Sequence, residues 1–145
     1  MKLTIKKFNE LTVYELYEIL KLRQEVFGIE QNCLYQDMDD IDFETYHLFN
    51  QDDNNTIVSY CRVQSLNNNY KDAKIGRVIA KRKGIGLGAK IMNEATNYCL
   101  DILKSETIEI HAQVYAIRFY EKQGFTVTSN EYLIDDIPHV TMHYK

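Results

Sequence analysis

Only one proline, Pro138, occurs in this 145-residue chain, and no serine-rich stretch, low-complexity segment or internal repeat divides it. That scarcity excludes proline-rich linkers and leaves no place for a boundary, so residues 1–145 are expected to form one domain. With 45% hydrophobic residues, such a domain can bury a substantial core. Cysteines are also few. Cys33, Cys61 and Cys99 form no CxxC pair, and their odd number excludes a simple disulfide framework and fits reduced thiols with packing roles. Cys33 alone lies within a motif, where it either packs or lines a pocket.

No stretch approaches the roughly 18 apolar residues of a membrane span, and Met1 to Lys7 lacks an apolar core of signal-peptide length. The expected location is the cytoplasm, with no membrane partner. Basic residues are not in excess: 17 Lys and Arg stand against 21 Asp and Glu, a net charge of −4. No basic stripe interleaves with aromatics, which argues against a nucleic-acid partner. The histidines His47, His111, His139 and His143 form no HExxH and have no cysteines at zinc spacing. The acidic run from Asp37 to Glu44 fails as a calcium loop, because Ile41 and Asp42 stand at the liganding and glycine positions. A solvated acidic loop is expected there, and no metal site.

What the chain does have is glycine in one place. Lys83-Gly84-Ile85-Gly86-Leu87-Gly88-Ala89 precedes Ile91, Met92, Ala95, Cys99 and Ile102, whose spacing predicts a helix from about Gly88 to Lys104. Glycine at a helix start costs up to about 1 kcal/mol relative to alanine, so three of them imply close approach of another group to the backbone. A helix N-terminus offers unpaired N–H groups and partial positive charge, which suits an anionic cofactor. A Walker loop is excluded, since the turn runs into Ala89-Lys90-Ile91 without a hydroxyl. Gly84-x-Gly86-x-x-Ala89, with Glu106 downstream, fits the loose dinucleotide pattern, but the 56 residues after Ala89 are too few to complete a doubly wound sheet.

The remaining elements follow from pattern. Lys2 to Phe8 reads as a strand, and Thr12-x-x-Glu15 as a capping box opening a helix with Val13, Leu16, Tyr17 and Leu20 on one face, ending near Phe27-Gly28. His47–Asn50 and Thr56–Val63 form a hairpin about the polar turn 51–55. Lys74–Ala80 and Thr107–Gln113 flank the glycine turn and its helix, a right-handed crossover that makes Ile75–Ala80 and Thr107–Gln113 parallel neighbours. Phe125–Leu133 and Val140–Tyr144 close the sheet, with Pro138 between them.

Directly after the strand at Thr107–Gln113 comes Ala116-Ile117-Arg118-Phe119-Tyr120-Glu121-Lys122-Gln123-Gly124-Phe125, a short helix stopped by glycine. Together with the glycine turn, this run resembles the GCN5-related N-acetyltransferase superfamily. There Arg/Gln-x-x-Gly-x-Gly/Ala binds the pyrophosphate of acetyl-CoA and a later Ala-x-x-Phe-Tyr-x-x-x-Gly-Phe carries the acid. In the register Lys83-x-x-Gly86-x-Gly88, or Lys81-x-x-Gly84-x-Gly86, lysine replaces Arg/Gln and keeps the positive charge. The N-terminal third narrows the resemblance to the ElaA-like branch: Leu22-Arg23-x-x-Val26-Phe27-x-x-Glu30-Gln31-x-Cys33-x-Tyr35, then His47-Leu48, Ile75-Gly76-Arg77-Val78, Ala112-Gln113 and Ile137-Pro138-His139-x-x-Met142. Leu34 departs from a usual proline, Asp136 from a usual glycine, and the link from Val78 to the glycine turn is about two residues short.

The resemblance implies an α/β (α+β) fold with a mixed, mostly antiparallel sheet of six to seven strands whose central parallel pair splays. Acetyl-CoA would lie in that opening, its pantetheine arm against backbone groups of Val78, Ile79 and Ala80 and its pyrophosphate on Lys83, Gly84, Ile85, Gly86, Leu87, Gly88 and Ala89. An amine would attack the thioester directly, with an N–H of the strand facing the thioester oxygen. Tyr120 takes the family's general-acid position; its partner Phe119 either touches the cofactor or packs the helix on the sheet. Gln113 stands near where the family often has asparagine, able to donate to the cofactor. For the general base, Glu109 and His111 share a strand face. Glu30, Gln31 and His139 are placed on the acceptor side. The acceptor is an amine, small molecule or peptide, with a cationic one favoured by the acidic loop. Monomer and homodimer both remain open, as do two other readings: an NAD(P)-binding oxidoreductase using the glycine turn, and an acyl-CoA-binding protein without turnover.

Overall fold

The computed structural model describes residues 1–144. In chain order, β1 (Lys2–Lys7) leads through a short 3-10 turn into α1 (Val13–Arg23), which widens into π-type turns over Gln24–Glu30. After a loop come β2 (Tyr46–Gln51), β3 (Ile57–Ser65) and β4 (Asp72–Ala80). Then α2 (Leu87–Asn97) widens over Tyr98–Ile102 and is followed by β5 (Thr107–Gln113). The chain ends with α3 (Ile117–Lys122), β6 (Phe125–Val127), β7 (Tyr132–Ile134) and β8 (Ile137–Tyr144).

One sheet holds all eight strands in the order β1-β2-β3-β4-β5-β8-β6, with β7 also on β8. Every pairing is antiparallel except β4 with β5. The α/β mixed sheet expected from the resemblance is therefore present, with one strand more than anticipated. The extra strand arises because Phe125–Leu133 is not continuous. The Thr141 N–H donates to the Ser129 hydroxyl at 2.8 Å instead of to a strand carbonyl, which breaks the polar stretch between β6 and β7. Pro138 lies inside β8, not between strands. It faces Leu133, and the β5 pairing stops one residue later at Gln113 with His139, so its missing N–H is not needed on that edge.

Helix α1 begins on the expected capping box: the Glu15 N–H donates to Thr12 Oγ1 at 3.0 Å and the Thr12 N–H to Glu15 Oε1 at 2.8 Å. Its buried face differs from the expected one. Val13 and Tyr17 are 76% and 69% exposed, while Ile19, Leu22 and Arg23 are buried. The sheet lies under the second half of the helix, so the apolar side chains of the first turn have nothing to pack on.

The core is split by the sheet. Under α2 lie Leu48, Cys61, Ile75, Ile91, Met92 and Met142; under α1 lie Ile19, Leu22, Phe49, Tyr60 and Ile79. Ile75 and Ile79, four residues apart, would share a face in a regular strand. They lie on opposite faces because β4 carries a bulge: Tyr60 faces Ile79 but Arg62 faces Gly76, and Arg77 has φ +53°. The parallel neighbours also differ from expectation. β4 and β5 pair only over Asp72–Lys74 with Thr107–Glu109, and Ile75–Ala80 has no partner on that edge.

Candidate functional site

The gap between β4 and β5 begins where their pairing stops, just before the bulge. Across β3, the Lys81 N–H donates to the Val58 carbonyl at 2.8 Å, so strand alternation turns the N–H groups of Val78 and Ala80 toward the open edge. The side chains of this stretch are committed elsewhere: Ile79 is buried against α1 and Val78 packs on the α2 core. That leaves backbone groups of Val78 and Ala80 on the open edge.

At the C-terminal end of β4 the chain turns into α2. Gly84 and Gly86 have φ +82° and +80°, and a Cβ at either would meet nothing within 4 Å. Gly86 is the N-cap and supplies no side-chain cap; the first helical bond runs from the Lys90 N–H to the Gly86 carbonyl at 3.0 Å. The N–H groups of the first turn are thus left without helical acceptors beside an exposed turn. Lys83 and Ile85 are exposed on the turn, Ala89 is half-buried, and the Leu87 side chain is buried in the core, leaving its backbone as the available group. Gly88 has a different reason for being glycine: a Cβ there would lie 3.2 Å from Phe119 Cζ. Phe119 therefore packs α3 against the start of α2. The glycine cradle, open edge and helix N-terminus fit the pyrophosphate and pantetheine of an acyl-CoA.

Tyr120 is half-buried on α3, with its ring edge-on to Phe119 at 5.0 Å and Phe125 at 6.4 Å. Among the described residues its hydroxyl has no hydrogen-bond partner. Burial pushes its pKa well above the ordinary phenol value, so it stays protonated at neutral pH.

On the other side of the sheet, β5 presents Glu109, His111 and Gln113. His111 Nε2 donates to Glu109 Oε2 at 2.8 Å, which leaves Nδ1 with a free lone pair. His143 Nε2 lies 3.3 Å from the other Glu109 oxygen. Burial, then the charge of Lys74, lowers the His111 pKa, and the Glu109 contact opposes them without reversing the shift. His139 shares this face, because it sits opposite Gln113. It is 8% exposed, its Nδ1 donates to the Ile137 carbonyl at 2.7 Å, and its ring stacks on Tyr132. Gln113 Nε2 donates to Gln31 Oε1 at 3.3 Å, tying the end of β5 to the loop after α1.

That loop, residues 31–35, and the β7–β8 turn, residues 135–137, border an open surface cavity of about 460 Å³. Gln31 lines it; Glu30 is exposed and does not. Cys33 lines it too, whereas Cys61 and Cys99 are buried packing thiols. Leu34 and Asp136, the two departures from the family pattern, face the same cavity, and Tyr35 donates to Asp136 Oδ2 at 2.8 Å.

The acidic run is solvated only in part: Asp40 and Glu44 are exposed, but three other carboxylates are held by arginines. Asp42 accepts from Arg23 Nη1 at 2.6 Å and Arg62 Nη1 at 2.8 Å; Asp39 pairs with Arg62 at 2.6 Å; Asp37 accepts from Arg23 at 2.9 Å and Arg77 at 2.7 Å. Burial raises the Asp39 pKa, but the bonds and charges of Arg62 and then Arg77 outweigh it and hold it down at about 2. The arginines are the residues sequence reasoning missed. The signal was present: Arg23 follows Ile19 by four on the buried helix face, and Arg62 sits in the apolar run 57–63. An arginine inside an apolar stripe needs a carboxylate partner.

A sheet with one splayed parallel pair and a glycine-capped helix at the end of its first strand is the architecture of the acyl-CoA N-acyltransferases. Residues 11–145 match the family described as acetyltransferase (GNAT) domain, and the chain belongs to that family. Within it the protein is ElaA-like: it is 33% identical over 138 residues to Protein ElaA of Escherichia coli, covering 92% of this chain and 90% of that one. The crystal structure of Escherichia coli ElaA superposes with a TM-score of 0.91 at 29% identity, covering 99% of each chain. An acyl-CoA N-acyltransferase from Pseudomonas aeruginosa gives a TM-score of 0.91 at 33% identity over 100% of both chains. Among the described residues no helix is long and apolar enough to cross a membrane.

Proposed function

We propose that the protein transfers the acetyl group of acetyl-CoA to the nitrogen of an amine, through the gap between β4 and β5. The observation that carries this reading is the coincidence of an unpaired β4 edge with a side-chain-free, glycine-capped helix start only a few residues further on. One recognises an extended amide-bearing arm and the other a pyrophosphate. When bound, acetyl-CoA supplies the activated acyl carbon, whose bond to sulfur breaks as its bond to nitrogen forms.

The chain's own groups have complementary tasks. The Val78 N–H, on the open edge, stabilises charge on the carbonyl oxygen. Tyr120, kept protonated by burial, donates to the departing thiolate. His111, oriented by Glu109, takes the proton that the amine loses. Gln113, Gln31 and His139 form the wall between the reacting end of the gap and the cavity in which the acceptor sits. Because Asp37, Asp39 and Asp42 are neutralised by arginines, the carboxylates that favour a cationic acceptor are Asp135 and Asp136 at the cavity wall. The sheet, with its single parallel pair, lacks the run of parallel strands from which dinucleotide folds are wound.

Gly86→Glu tests the pyrophosphate assignment. It places a like charge and an L side chain at φ +80° in the cradle. Acetyl-CoA binding, measured by calorimetry, is expected to vanish while circular dichroism stays parental. A folded variant with parental affinity places the pyrophosphate elsewhere. Thermal shift with acetyl-CoA, CoA, NADPH and ATP, followed by thiol release with an amine panel, separates the transferase from the NAD(P) and non-enzymatic readings.

A further inference from the structure

The bulge residue of β4 is an arginine held by an ion-pair frame. Arg77 adopts φ +53°, a conformation in which glycine is the cheaper residue, and Gly76 beside it does not take that role. Its guanidinium is gripped on several sides. Nε donates to Asp37 Oδ1 at 2.7 Å, and Nη2 to the Asp37 carbonyl at 2.8 Å and Asp39 Oδ2 at 3.3 Å; the group also lies 5.9 Å over the Phe27 ring. The grip is itself anchored. The second Asp37 oxygen accepts from Arg23 Nε at 2.9 Å, and Arg23 is 0% exposed and pinned by Asp42. Asp39 is held by Arg62 on β3.

From these contacts we infer that Arg77, locked by Asp37, is a positioning residue for acetyl transfer. It holds the β4 bulge, and with it the open-edge N–H of Val78, at one fixed place relative to α1 and β3. The inference rests on the acetyltransferase reading above. Bulges bend and twist a strand at the point of insertion, and an N–H donor aimed at a developing charge loses effect with small displacements. A side chain anchored to two other elements removes that freedom. The same aspartate lies two residues beyond Tyr35 in the loop whose residues 31–35 line the open cavity, so one clamp ties that loop to the β4 bulge.

The test uses Arg77→Lys, which keeps the charge but loses the fork; Arg77→Gly, which relieves the backbone but removes the anchor; and Asp37→Asn, which keeps the shape. Three quantities are read: kcat, acetyl-CoA Kd, and the 13C shift of the carbonyl in bound carbonyl-labelled acetyl-CoA. Amide exchange across residues 76–80 is followed in the ligand-free protein. Removing one oxyanion donor costs about 10²–10³ in rate, so misplacing one is expected to lower kcat by about tenfold or more. Kd, set mainly at the start of α2, should change less than about threefold. The carbonyl shift should move toward its value in free acetyl-CoA, and exchange at 76–80 should quicken. Arg77→Gly with parental kcat and carbonyl shift overturns the proposal. So does a lower Tm in all three variants with kcat per folded molecule and carbonyl shift unchanged, the signature of a stabilising role alone. If Arg77→Gly does not fold, the other two variants decide by the same readings. A parent protein that does not bind acetyl-CoA refutes the transferase reading instead, and is seen before any variant is made.

Discussion

Replacing Tyr120 by phenylalanine removes one oxygen, and the structure sets what that oxygen does for stability and, separately, for turnover. The hydroxyl has no hydrogen-bond partner among the described residues, so its loss orphans no other group. The ring keeps its edge-on contacts with Phe119 at 5.0 Å and Phe125 at 6.4 Å. The hydroxyl is not among the buried polar atoms that lack a partner, so its removal relieves no desolvation penalty. Stability is therefore expected to stay within about 0.5 kcal/mol of parental, a Tm shift of at most about 2 °C for a chain of this size. Turnover should move the other way. General-acid catalysis contributes about 10²–10⁴-fold, equivalent to roughly 2.7–5.4 kcal/mol of barrier. The assay is thiol release under saturating acceptor, with viscosity dependence used to confirm that chemistry limits the rate, and acetyl-CoA affinity from calorimetry. The expected pattern is a kcat lower by that factor with Kd and Tm near parental. Parental kcat under chemistry-limited conditions would refute the assignment and return Tyr120 to the aromatic packing around α3. A Tm that falls in step with kcat would refute the claim that the hydroxyl has no structural partner.

His111 accepts a proton only when neutral, so activity should fall as pH drops through its pKa, which burial and Lys74 place below the ordinary histidine value. Lys74→Met removes the charge that helps depress it, and the acid limb of kcat should move to higher pH relative to parent with the same acceptor; an unmoved limb assigns the base elsewhere. Asp42→Asn removes the 2.6 Å carboxylate from the buried Arg23, which keeps Asp37 at 2.9 Å, so the cost is expected below the about 3–5 kcal/mol of a fully uncompensated buried charge and is measurable as a lower urea midpoint. In the parent, Asp39 and Asp42 have carboxyls held below the usual range, Asp39 down at about 2, so their stabilisation is whole above the unfolded carboxylate pKa, about 4, and is lost as pH falls toward 2. The urea midpoint should fall over that window and fall less steeply in Asp42→Asn; equal slopes would show that the network does not carry the acid sensitivity.

Much of this protein was determined by local sequence. The Thr12–Glu15 capping box and the glycine-opened helix depend on interactions within a few residues, and the alternation of Thr107–Gln113 marks its strand; all three stand where pattern places them. Likewise, Gly84 and Gly86 are legible because a turn at positive φ favours glycine, which has no Cβ to clash there. What only the tertiary structure decided involves partners distant in the chain. Gly88 is small because Phe119 lies against it, and α1 buries Ile19 and Leu22 instead of Val13 and Tyr17 because of where the sheet stops beneath it. The bulge at Arg77 moves Ile79 to the opposite face from Ile75, which no period-two reading of β4 anticipates. The acidic run read as a solvated loop because its charges repel one another locally. Arg23, Arg62 and Arg77, brought in from α1, β3 and β4, turn part of it into an ion-pair clamp that is buried at Asp42, since a desolvated carboxylate is stable only where the fold delivers a cation to it.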